Sequence, residues 1–573
     1  MIIIALITTD HEKCRKCYAC VRACPVKTIS INKGLPEIVE EGCLGCGQCV
    51  LACSIGAKQV QDDTPLIQQW IADGQPVAAI VAPSYAASFD VAAGKLVASL
   101  KSLGFSSIQE VAYGAGVCAK EQEKLLRKTD KTLISTPCAA VVQLIEKHFP
   151  NLVKYLSPVD SPMLIQAKII KSVYPNYKVA FIGPCLSKKY ESTDVNTGGY
   201  VDAVITFKEL DQWYQQAGID WQQLTDEPWE NPKPEIARTF PISGGLLKTS
   251  GIQEDVSRME IVVTEGARRC IEVLKAIDKG DFSPKFVDML VCEGCVMGPG
   301  MVSEKPYVVR AQQICNTVHQ NNNLDNKEII AAREKLNFSR TFQAKPIMKK
   351  DFTSDQVWQT LKETGKISPR DLINCGACGY DTCWEKAVAC LQGMAEKEMC
   401  LPFLLSQVPA LTSSLMEMSS KLMLSMESIN FSTLTLKGTT SKMNVRNQYL
   451  EALINETNTN AKDATELAKK VLNIVSRYQC SSCQDSGEAV AISSDLEVIK
   501  KIAAETKLQS EQATIALADI TNVLTSLRED SVTILEQERA IKIVTSSLEQ
   551  IVATYDQLLN IGSAMANIGR NYE

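Results

Sequence analysis

Residues 77–83 read Val77-Ala-Ala-Ile-Val-Ala-Pro83, a short run of β-branched and small apolar residues that ends at a proline. Such a run predicts a β-strand. Two similar runs follow, at Tyr177–Gly183 and Val201–Thr206, and stretches with a helical pattern such as Leu96–Leu103 lie between the runs. This alternation from residue 76 to about residue 345 predicts an α/β domain whose strands are mostly parallel.

The length and net charge of the chain limit the classes of protein to which it can belong. The chain has 573 residues, enough for several domains with substantial cores, and a net charge of −6. A general nucleic-acid binder needs a basic surface, so that class is not expected. No run of about 18 apolar residues is present, so no membrane span is expected. The apolar opening Met1–Ile7 has neither a basic start nor a small-residue cleavage site, and it predicts a first strand rather than a signal peptide.

The chain contains 22 cysteines, and most of them stand at spacings typical of metal ligands. Inside cells such patterns indicate metal or redox chemistry rather than disulfides. We therefore expect a cytoplasmic protein of a reducing compartment. The three histidines, His11, His148 and His319, are too scattered to suggest a histidine metal site, so thiolates are the expected ligands.

Residues 1–63 carry two runs with the spacing C-x2-C-x2-C-x3-C, namely Cys14, Cys17, Cys20 and Cys24, then Cys43, Cys46, Cys49 and Cys53. The pattern resembles a bacterial two-cluster ferredoxin. In that family the fourth cysteine of each run binds the other 4Fe–4S cluster. The resemblance thus implies one cluster on Cys14, Cys17, Cys20 and Cys53 and another on Cys43, Cys46, Cys49 and Cys24, both carrying single electrons. Zinc is the alternative, although zinc sites rarely use interlocked runs.

Three later segments contain four more cysteines. They are Ser135–Ala140 with Cys138, Gly183–Glu191 with Cys185, and Asp288–Gly298 with Cys292 and Cys295. Together they resemble the catalytic domain of FeFe hydrogenases. The resemblance implies a two-lobed α/β domain, placed at residues 64–345, in which the four cysteines hold a 4Fe–4S cubane joined to a diiron unit with CO and CN ligands.

Further residues in the same order strengthen this resemblance, including Pro83, Ser84, Ser157, Lys188 and Glu191. In the family, the Pro-Ser pair and the lysine hold the cyanide ligands, because anionic acceptor groups in a dry pocket need ammonium and hydroxyl partners. The resemblance implies that role for Lys188, Pro83 and Ser84. It assigns Ser157 and Glu191 to the path by which protons reach the diiron unit.

The chain departs from the catalytic pattern where protons would move. Active members carry a relay cysteine next to the first ligand, and here that position is Pro137, which has no ionisable group. At two acid positions of the relay the best match gives Gln122 and Leu125, with Glu121 and Glu123 nearby. Proton transfer needs a group of suitable pKa within hydrogen-bond reach, so slow turnover is expected.

The surroundings of the diiron unit also differ. Cys292-x2-Cys295 is one residue shorter than the family's spacing, and Gly183 and Leu290 stand where catalytic members have methionines. These changes should alter the packing around the cofactor and its potential. They resemble the divergent, sensory members of the family.

Residues 346–404 contain a third pattern, Cys375-x2-Cys378-x4-Cys383 followed by Cys400. It resembles a single-cubane module, which would bring the total to four 4Fe–4S clusters, and Trp384–Met399 is expected to be a helix that returns Cys400 to the site. Zinc is again the alternative. The remaining thiols Cys118, Cys270, Cys315 and Cys390 are expected to be buried.

Residues 405–573 form the last region, which contains no proline after Pro409. Apolar residues recur at sevens, which predicts a long-helix coiled coil or bundle: Ile520, Leu527, Ile534, Ile541, Leu548 and Tyr555. Such a region either covers surface or acts as an output and dimerisation rod, and we expect a homodimer with a signalling partner. Cys480 and Cys483 form a redox pair, a turn with inert thiols, or half of a metal site.

The sequence therefore predicts a hydrogenase-like protein that reversibly oxidises dihydrogen to protons and electrons, slowly, as a hydrogen or redox sensor. Its expected electron partner is a protein such as a ferredoxin. Two alternatives remain open: a working ferredoxin hydrogenase with a rerouted proton path, and a non-enzymatic iron–sulfur scaffold that lacks the diiron unit.

Overall fold

The computed structural model describes residues 5–252, 259–348, 350–435 and 443–478, together with scattered positions from 498 to 546. The chain divides into two units. The first comprises Met1–Cys14, Ala19–Phe352 and Gln392–Met394, and the second comprises Arg15–Tyr18, Thr353–Leu391 and Ala395–Glu573.

The described residues form eleven strands and eighteen α-helices. The strands are β1 (Ile7–Thr9), β2 (Ile29–Asn32), β3 (Leu35–Ile38), β4 (Lys58–Val60), β5 (Val77–Val81), β6 (Ser107–Glu110), β7 (Leu133–Ile134), β8 (Lys178–Gly183), β9 (Ala203–Thr206), β10 (Ile261–Glu265) and β11 (Phe286–Leu290). The helices of the first unit are α1 (Ala19–Ala23), α2 (Gln48–Leu51), α3 (Thr64–Ala72), α4 (Tyr85–Ser88), α5 (Ala93–Ser102), α6 (Ala112–Leu126), α7 (Ala139–His148), α8 (Pro162–Val173), α9 (Ser187–Thr193), α10 (Phe207–Ala217), α11 (Gly245–Ser250), α12 (Ala267–Lys279), α13 (Tyr307–Thr317) and α14 (Lys327–Lys335). Those of the second unit are α15 (Ser354–Lys362), α16 (Cys383–Leu391), α17 (Leu401–Thr435) and α18 (Met443–Tyr478).

The N-terminal module is built from two antiparallel strand pairs and two short helices. Strand β1 pairs with β4, and β2 pairs with β3. Helices α1 and α2 each carry a cysteine of the two runs, Cys20 and Cys49. The first described strand begins at Ile7, so the strand predicted at Met1–Ile7 is observed only at its last residue; residues 1–4 lie outside the described part of the chain.

A four-stranded parallel sheet in the order β6-β5-β8-β9 forms the first lobe of the α/β domain. The parallel strands predicted from the apolar runs are confirmed. All five residues of β5 are fully buried, which is typical of a central parallel strand covered on both faces. Ligands of open α/β sheets bind at the carboxyl ends of strands, and here β5 leads into Pro83 and Ser84 while β8 leads into Cys185.

The second lobe contains a smaller parallel sheet in the order β10-β11-β7. Strand β7 runs into the loop that carries Cys138, and β11 runs into the loop that carries Cys292 and Cys295. The carboxyl ends of both sheets thus deliver the cysteine segments.

The cysteine module of the second unit contains a shorter helix than predicted. We expected a helix over Trp384–Met399, but α16 ends at Leu391 and a single 3-10 turn follows at Lys397–Met399. Gly393 explains the break, because its φ of 74° is left-handed and ends a right-handed helix.

Two long helices follow, α17 and α18. Helix α18 packs on the segment around residue 510, where the Thr465 hydroxyl donates to the Ser510 hydroxyl over 2.8 Å. Ile520 is buried, but the later heptad positions and Cys480 and Cys483 lie outside the described residues. Within the described part of the chain, no helix is both long and apolar enough to cross a membrane.

Candidate metal centre

A cavity of about 90 Å³ lies where the loops after β5, β7, β8 and β11 meet. Cys138, Cys185 and Cys295 are among the residues on its wall. Cys292 belongs to the same group, because neighbouring Cys185, Cys138 and Cys295 thiolates help to raise the pKa of its buried thiol. A single water needs roughly 10–15 Å³, so the cavity has room for a larger group.

Local backbone structure explains how two of these sulfurs are held. Cys138 precedes α7, and the backbone amides of Val291, Val141 and Ala140 donate to its sulfur. Cys185 stands just before α9, and the backbone amides of Lys188 and Ser187 donate to it. Free amides at a helix start stabilise a thiolate.

Burial is the largest cause of the raised pKa values of these four thiols. It raises the pKa of Cys185 to about 11, with a further contribution from the charge of Cys138. Burial likewise raises the pKa values of Cys138, Cys292 and Cys295, and mutual repulsion raises those of Cys292 and Cys295 further. Four thiolates at this spot need compensating cations, which iron ions would supply.

Lys188 lies on the cavity wall, at the second position of α9. Its ammonium lies 2.5 Å from a carboxylate oxygen of Glu191 and donates to the Pro137 carbonyl over 3.1 Å. The charge of Lys188 also opposes the raised pKa values of Cys138 and Cys185. A buried, oriented ammonium thus faces the space that the cysteines surround.

Arg340 is a member of this site that the sequence did not reveal. Its guanidinium donates to the other oxygen of Glu191 over 2.6 Å and to the Thr136 carbonyl over 3.0 Å. Burial raises the pKa of Glu191, but the charges of Lys188 and Arg340 outweigh burial and the pKa lies below its ordinary value. The carboxylate stays ionised, so the geometry favours a role in positioning Lys188 over a role in passing protons.

The other predicted relay positions lie behind the cavity. The buried hydroxyl of Ser157 donates to the amide oxygen of Gln122 over 2.6 Å, and neither residue lines the cavity. Glu121 pairs with Lys124, and Glu123 with Arg127, in partly exposed pairs on α6. Neither glutamate replaces the missing acid.

Two uncharged features of the wall match the expected cradle. Pro83 and Ser84 both line the cavity, and the buried Ser84 hydroxyl has no hydrogen-bond partner among the described residues. An unpaired buried hydroxyl is costly, so it is suited to donate to a bound acceptor. At Gly183 a Cβ would lie 2.6 Å from the ring of Phe181, so Phe181 fills the space that a larger side chain would need.

Asp288 is the remaining ionisable group on the wall, and no role was predicted for it. The Ser135 hydroxyl donates to its carboxylate over 2.9 Å. It lies at the third position of β11, in register with Val263 of β10. A carboxylate that faces the cavity gives the site an acid other than the predicted relay.

The second ferredoxin run approaches this site. Burial raises the pKa of Cys46, and the charges of Cys24, Cys49 and Cys43 add to the effect, so the predicted second-cluster set lies together. Cys46 in turn contributes to the raised pKa of Cys292. The loop of Cys46 is fixed to α9, because the Ser187 hydroxyl donates to the Leu44 carbonyl over 2.8 Å.

The first predicted cluster is less completely defined. Cys14 and Cys53 are half-buried, and Cys20 contributes to the raised pKa of Cys49. Cys17 falls among residues 15–18, which belong to the second unit.

In the second unit, the four predicted ligands Cys375, Cys378, Cys383 and Cys400 line one cavity. Cys118 and Cys270 are buried as expected, whereas Cys390 is half-buried. The expectation for Cys315 is wrong: it is exposed, because the neighbouring Ile314 is the residue that α13 turns inward. Among the described residues, no three His, Cys, Asp or Glu side chains converge on a single-ion position.

Comparison with protein families matches three parts of the chain. Residues 75–299 match the iron only hydrogenase large subunit, C-terminal domain. Residues 6–54 match a 4Fe-4S dicluster domain, and residues 373–402 match a family whose description names an Fe-S cluster.

Individual proteins are also similar to parts of this chain. The periplasmic Fe hydrogenase large subunit of Nitratidesulfovibrio vulgaris is 25% identical over 362 residues, which are 51% of this chain and 86% of the relative. The cytosolic Fe-S cluster assembly factor NAR1 of Yarrowia lipolytica is 28% identical over 184 residues, 28% of this chain and 37% of the relative. A solved FeFe-hydrogenase HydA1 from Chlamydomonas reinhardtii, 17% identical, covers 50% of this chain and is itself fully covered, with a TM-score of 0.42. Residues 75–299 are thus similar to the iron only hydrogenase large subunit, C-terminal domain, and residues 6–54, which precede them, to a 4Fe-4S dicluster domain.

Proposed function

We propose that this protein reacts reversibly with dihydrogen, converting it to protons and electrons at the cavity of residues 75–299, and that slow turnover serves hydrogen or redox sensing. One observation carries the proposal. Cys138, Cys185 and Cys295, from three distant segments, line one cavity together with Lys188, and Cys292 lies near them. A site of this composition suits an anionic iron cofactor.

The residues present fit the cofactor that the family implies. Cys138, Cys185, Cys292 and Cys295 would hold a 4Fe–4S cubane. A diiron unit with CO and CN ligands would lie in the remaining space, with the Ser84 hydroxyl and Lys188 as donors to its ligands. When bound, the diiron unit supplies the place where dihydrogen is cleaved or formed.

The protein's own groups give a poor proton path, and this is the basis for slow turnover. Pro137 lines the cavity at the relay position and cannot ionise. Glu191 is held as a carboxylate between two cations, which makes it a weak base. Gln122 accepts from Ser157 but its amide does not transfer protons under ordinary conditions.

Electrons would leave through the second ferredoxin run. Cys46 lies close enough to Cys292 to affect its pKa, so a cluster on Cys43, Cys46, Cys49 and Cys24 would stand beside the cubane. The expected external partner is a small electron carrier such as a ferredoxin, and the expected location is a reducing, cytoplasmic compartment. The C-terminal helices would provide a homodimer contact and a signalling output.

Two other functions have specific support. Asp288 on the cavity wall favours a working hydrogenase with a rerouted proton path. The similarity to the assembly factor NAR1, together with Pro137, favours a non-enzymatic iron–sulfur scaffold without the diiron unit.

Infrared spectroscopy of the full-length protein, matured anaerobically with the diiron cofactor, tests the proposal. We expect carbonyl and cyanide bands that shift when hydrogen is added, and no such bands in a Cys185→Ser variant. Bands with slow hydrogen turnover support the sensor. Fast turnover that is lost in Asp288→Asn supports the rerouted enzyme. A protein with full iron–sulfur content but no bands would be a scaffold.

A further inference from the structure

Lys366 is a buried lysine in the cysteine module of the second unit. Its side chain lines the cavity of Cys375, Cys378, Cys383 and Cys400, and only 5% of the residue is exposed. Its ammonium donates to the sulfur of Cys400 over 3.1 Å. The other two donors reach the carbonyl and the hydroxyl of Thr364, at 3.1 and 3.3 Å. All three N–H groups of the ammonium are therefore used.

A buried ammonium needs negative charge nearby. Among the described residues no carboxylate forms an ion pair with Lys366. Asp371 responds to the charge of Lys366, but its carboxylate is solvent-exposed and accepts from the backbone and hydroxyl of Ser368. The Cys400 sulfur is therefore the atom through which a bound cluster would offer negative charge to Lys366.

A second lysine lies on the same cavity. Lys386 is also 5% exposed, and its ammonium donates to the Lys397 carbonyl over 3.3 Å. Burial raises the pKa of Cys378, and the charge of Lys386 opposes that rise. Two positive charges thus surround the four sulfurs.

Two lysines of the ferredoxin module donate to oxygens instead, although the charge of Lys58 also opposes the raised pKa of Cys49. The ammonium of Lys58 donates to the Thr9 hydroxyl over 2.6 Å and to the Pro36 carbonyl over 3.5 Å. That of Lys27 donates to the carbonyls of Val21 and Arg22. Both ammonium groups thus donate to oxygen atoms, whereas that of Lys366 donates to a ligand sulfur.

We infer that Lys366 raises the reduction potential of a 4Fe–4S cluster held by Cys375, Cys378, Cys383 and Cys400, so that this cluster is more readily reduced than it would be without the lysine. The inference rests on the proposed function, in which the four cysteines hold such a cluster. One-electron reduction makes the cluster more negative by one charge. A hydrogen-bonded ammonium on a ligand sulfur stabilises that added charge and favours the reduced form.

The test is a redox titration of the full-length, iron-loaded protein followed by electron paramagnetic resonance. The signal that disappears in Cys375→Ser identifies this cluster. In Lys366→Met we expect at least a tenfold shift of the redox equilibrium toward the oxidised cluster, a potential lower by about 59 mV for one electron. Lys366→Arg keeps the charge and should stay close to wild type. Lys362→Met removes an exposed lysine of α15 and should change nothing.

Every other outcome either supports or overturns the inference about Lys366. An unshifted potential in an iron-loaded Lys366→Met protein overturns the inference but leaves the third cluster intact. The same holds if the potential of the Lys366→Arg protein shifts as far as that of the Lys366→Met protein. If the methionine variant binds no iron here but the arginine variant does, the requirement for charge is supported; loss of iron in both assigns Lys366 to packing. If Cys375→Ser removes no signal, the third cluster itself fails, and the inference fails with it.

Discussion

The guanidinium of Arg340 donates to the carboxylate of Glu191 over 2.6 Å, although 149 residues separate them in the sequence. The same carboxylate binds Lys188, which faces the cavity of the cysteines. One buried anion therefore holds two cations, one of which belongs to the proposed cofactor cradle. Glu191 therefore positions Lys188 at the cavity, and Arg340 in turn holds Glu191 in place.

Removing Arg340 should destabilise the first unit strongly. An Arg340→Ala variant leaves Glu191 buried with one partner fewer, and breaking a buried pair typically costs about 3–5 kcal/mol. Urea unfolding of the variant and the wild type measures the difference. Arg268→Ala is the matched control, because that side chain is 92% exposed in its pair with Glu272 and its loss should change stability by less than about 0.5 kcal/mol. Equal effects of the two substitutions would contradict a special role for Arg340.

The sequence predicted strands β5 and β8 and the cysteine segments of this site, but not strands β7 and β11 or the role of Arg340. Val77–Val81 could be predicted because five consecutive apolar residues indicate a buried strand even when its neighbours are unknown, and all five are buried. The cysteines of this site were predicted because the three segments that carry them resemble those of FeFe hydrogenases. Arg340 belongs to no motif, and only the folded chain shows that it is the second cation bound to Glu191. The end of α16 could not be predicted either, because it is set by the left-handed backbone of Gly393, which the helical pattern did not indicate.

Stability should depend on Glu191 in the acid range. Burial raises the pKa of Glu191, but Lys188 and Arg340 lower it more, so the folded pKa lies below that of the unfolded chain, about 4.3. The stabilisation is therefore complete above that value and is lost as pH falls through the folded pKa. The stability difference between wild type and Glu191→Gln should be largest near pH 7 and should shrink below about pH 4.3. Urea unfolding at several pH values measures it, and a difference that stays constant with pH would speak against an ionised Glu191.

The Ser84 hydroxyl should contact the bound cofactor. It is buried on the cavity wall without a partner among the described residues, so it is free to donate to a cyanide ligand. Ser84→Ala should shift the cyanide bands of the matured protein, because one hydrogen bond to the ligand is lost. Ser88→Ala is the control, since the Ser88 hydroxyl already accepts from the Val302 amide over 3.0 Å. Unchanged bands in Ser84→Ala would place the hydroxyl away from the cofactor.

Pro137 should limit the rate of hydrogen turnover. Its ring lines the cavity, and its carbonyl accepts from Lys188 over 3.1 Å. Pro137→Cys keeps that carbonyl and adds a thiol at the position where active relatives carry their relay. General acid–base groups typically contribute about 10²–10⁴-fold, so hydrogen evolution by the matured variant should rise by roughly 100-fold.

Pro137→Ala separates this effect from the release of the proline ring. It frees the backbone in the same way but supplies no proton donor, so its rate should stay near that of wild type. Each variant's infrared bands must show equal cofactor content before the rates are compared. If the cysteine variant is no faster than the alanine variant, protons are not limited at residue 137. Asp288, the other ionisable group on the wall, would then be the next residue to replace, because the Ser135 hydroxyl already orients its carboxylate beside the cavity.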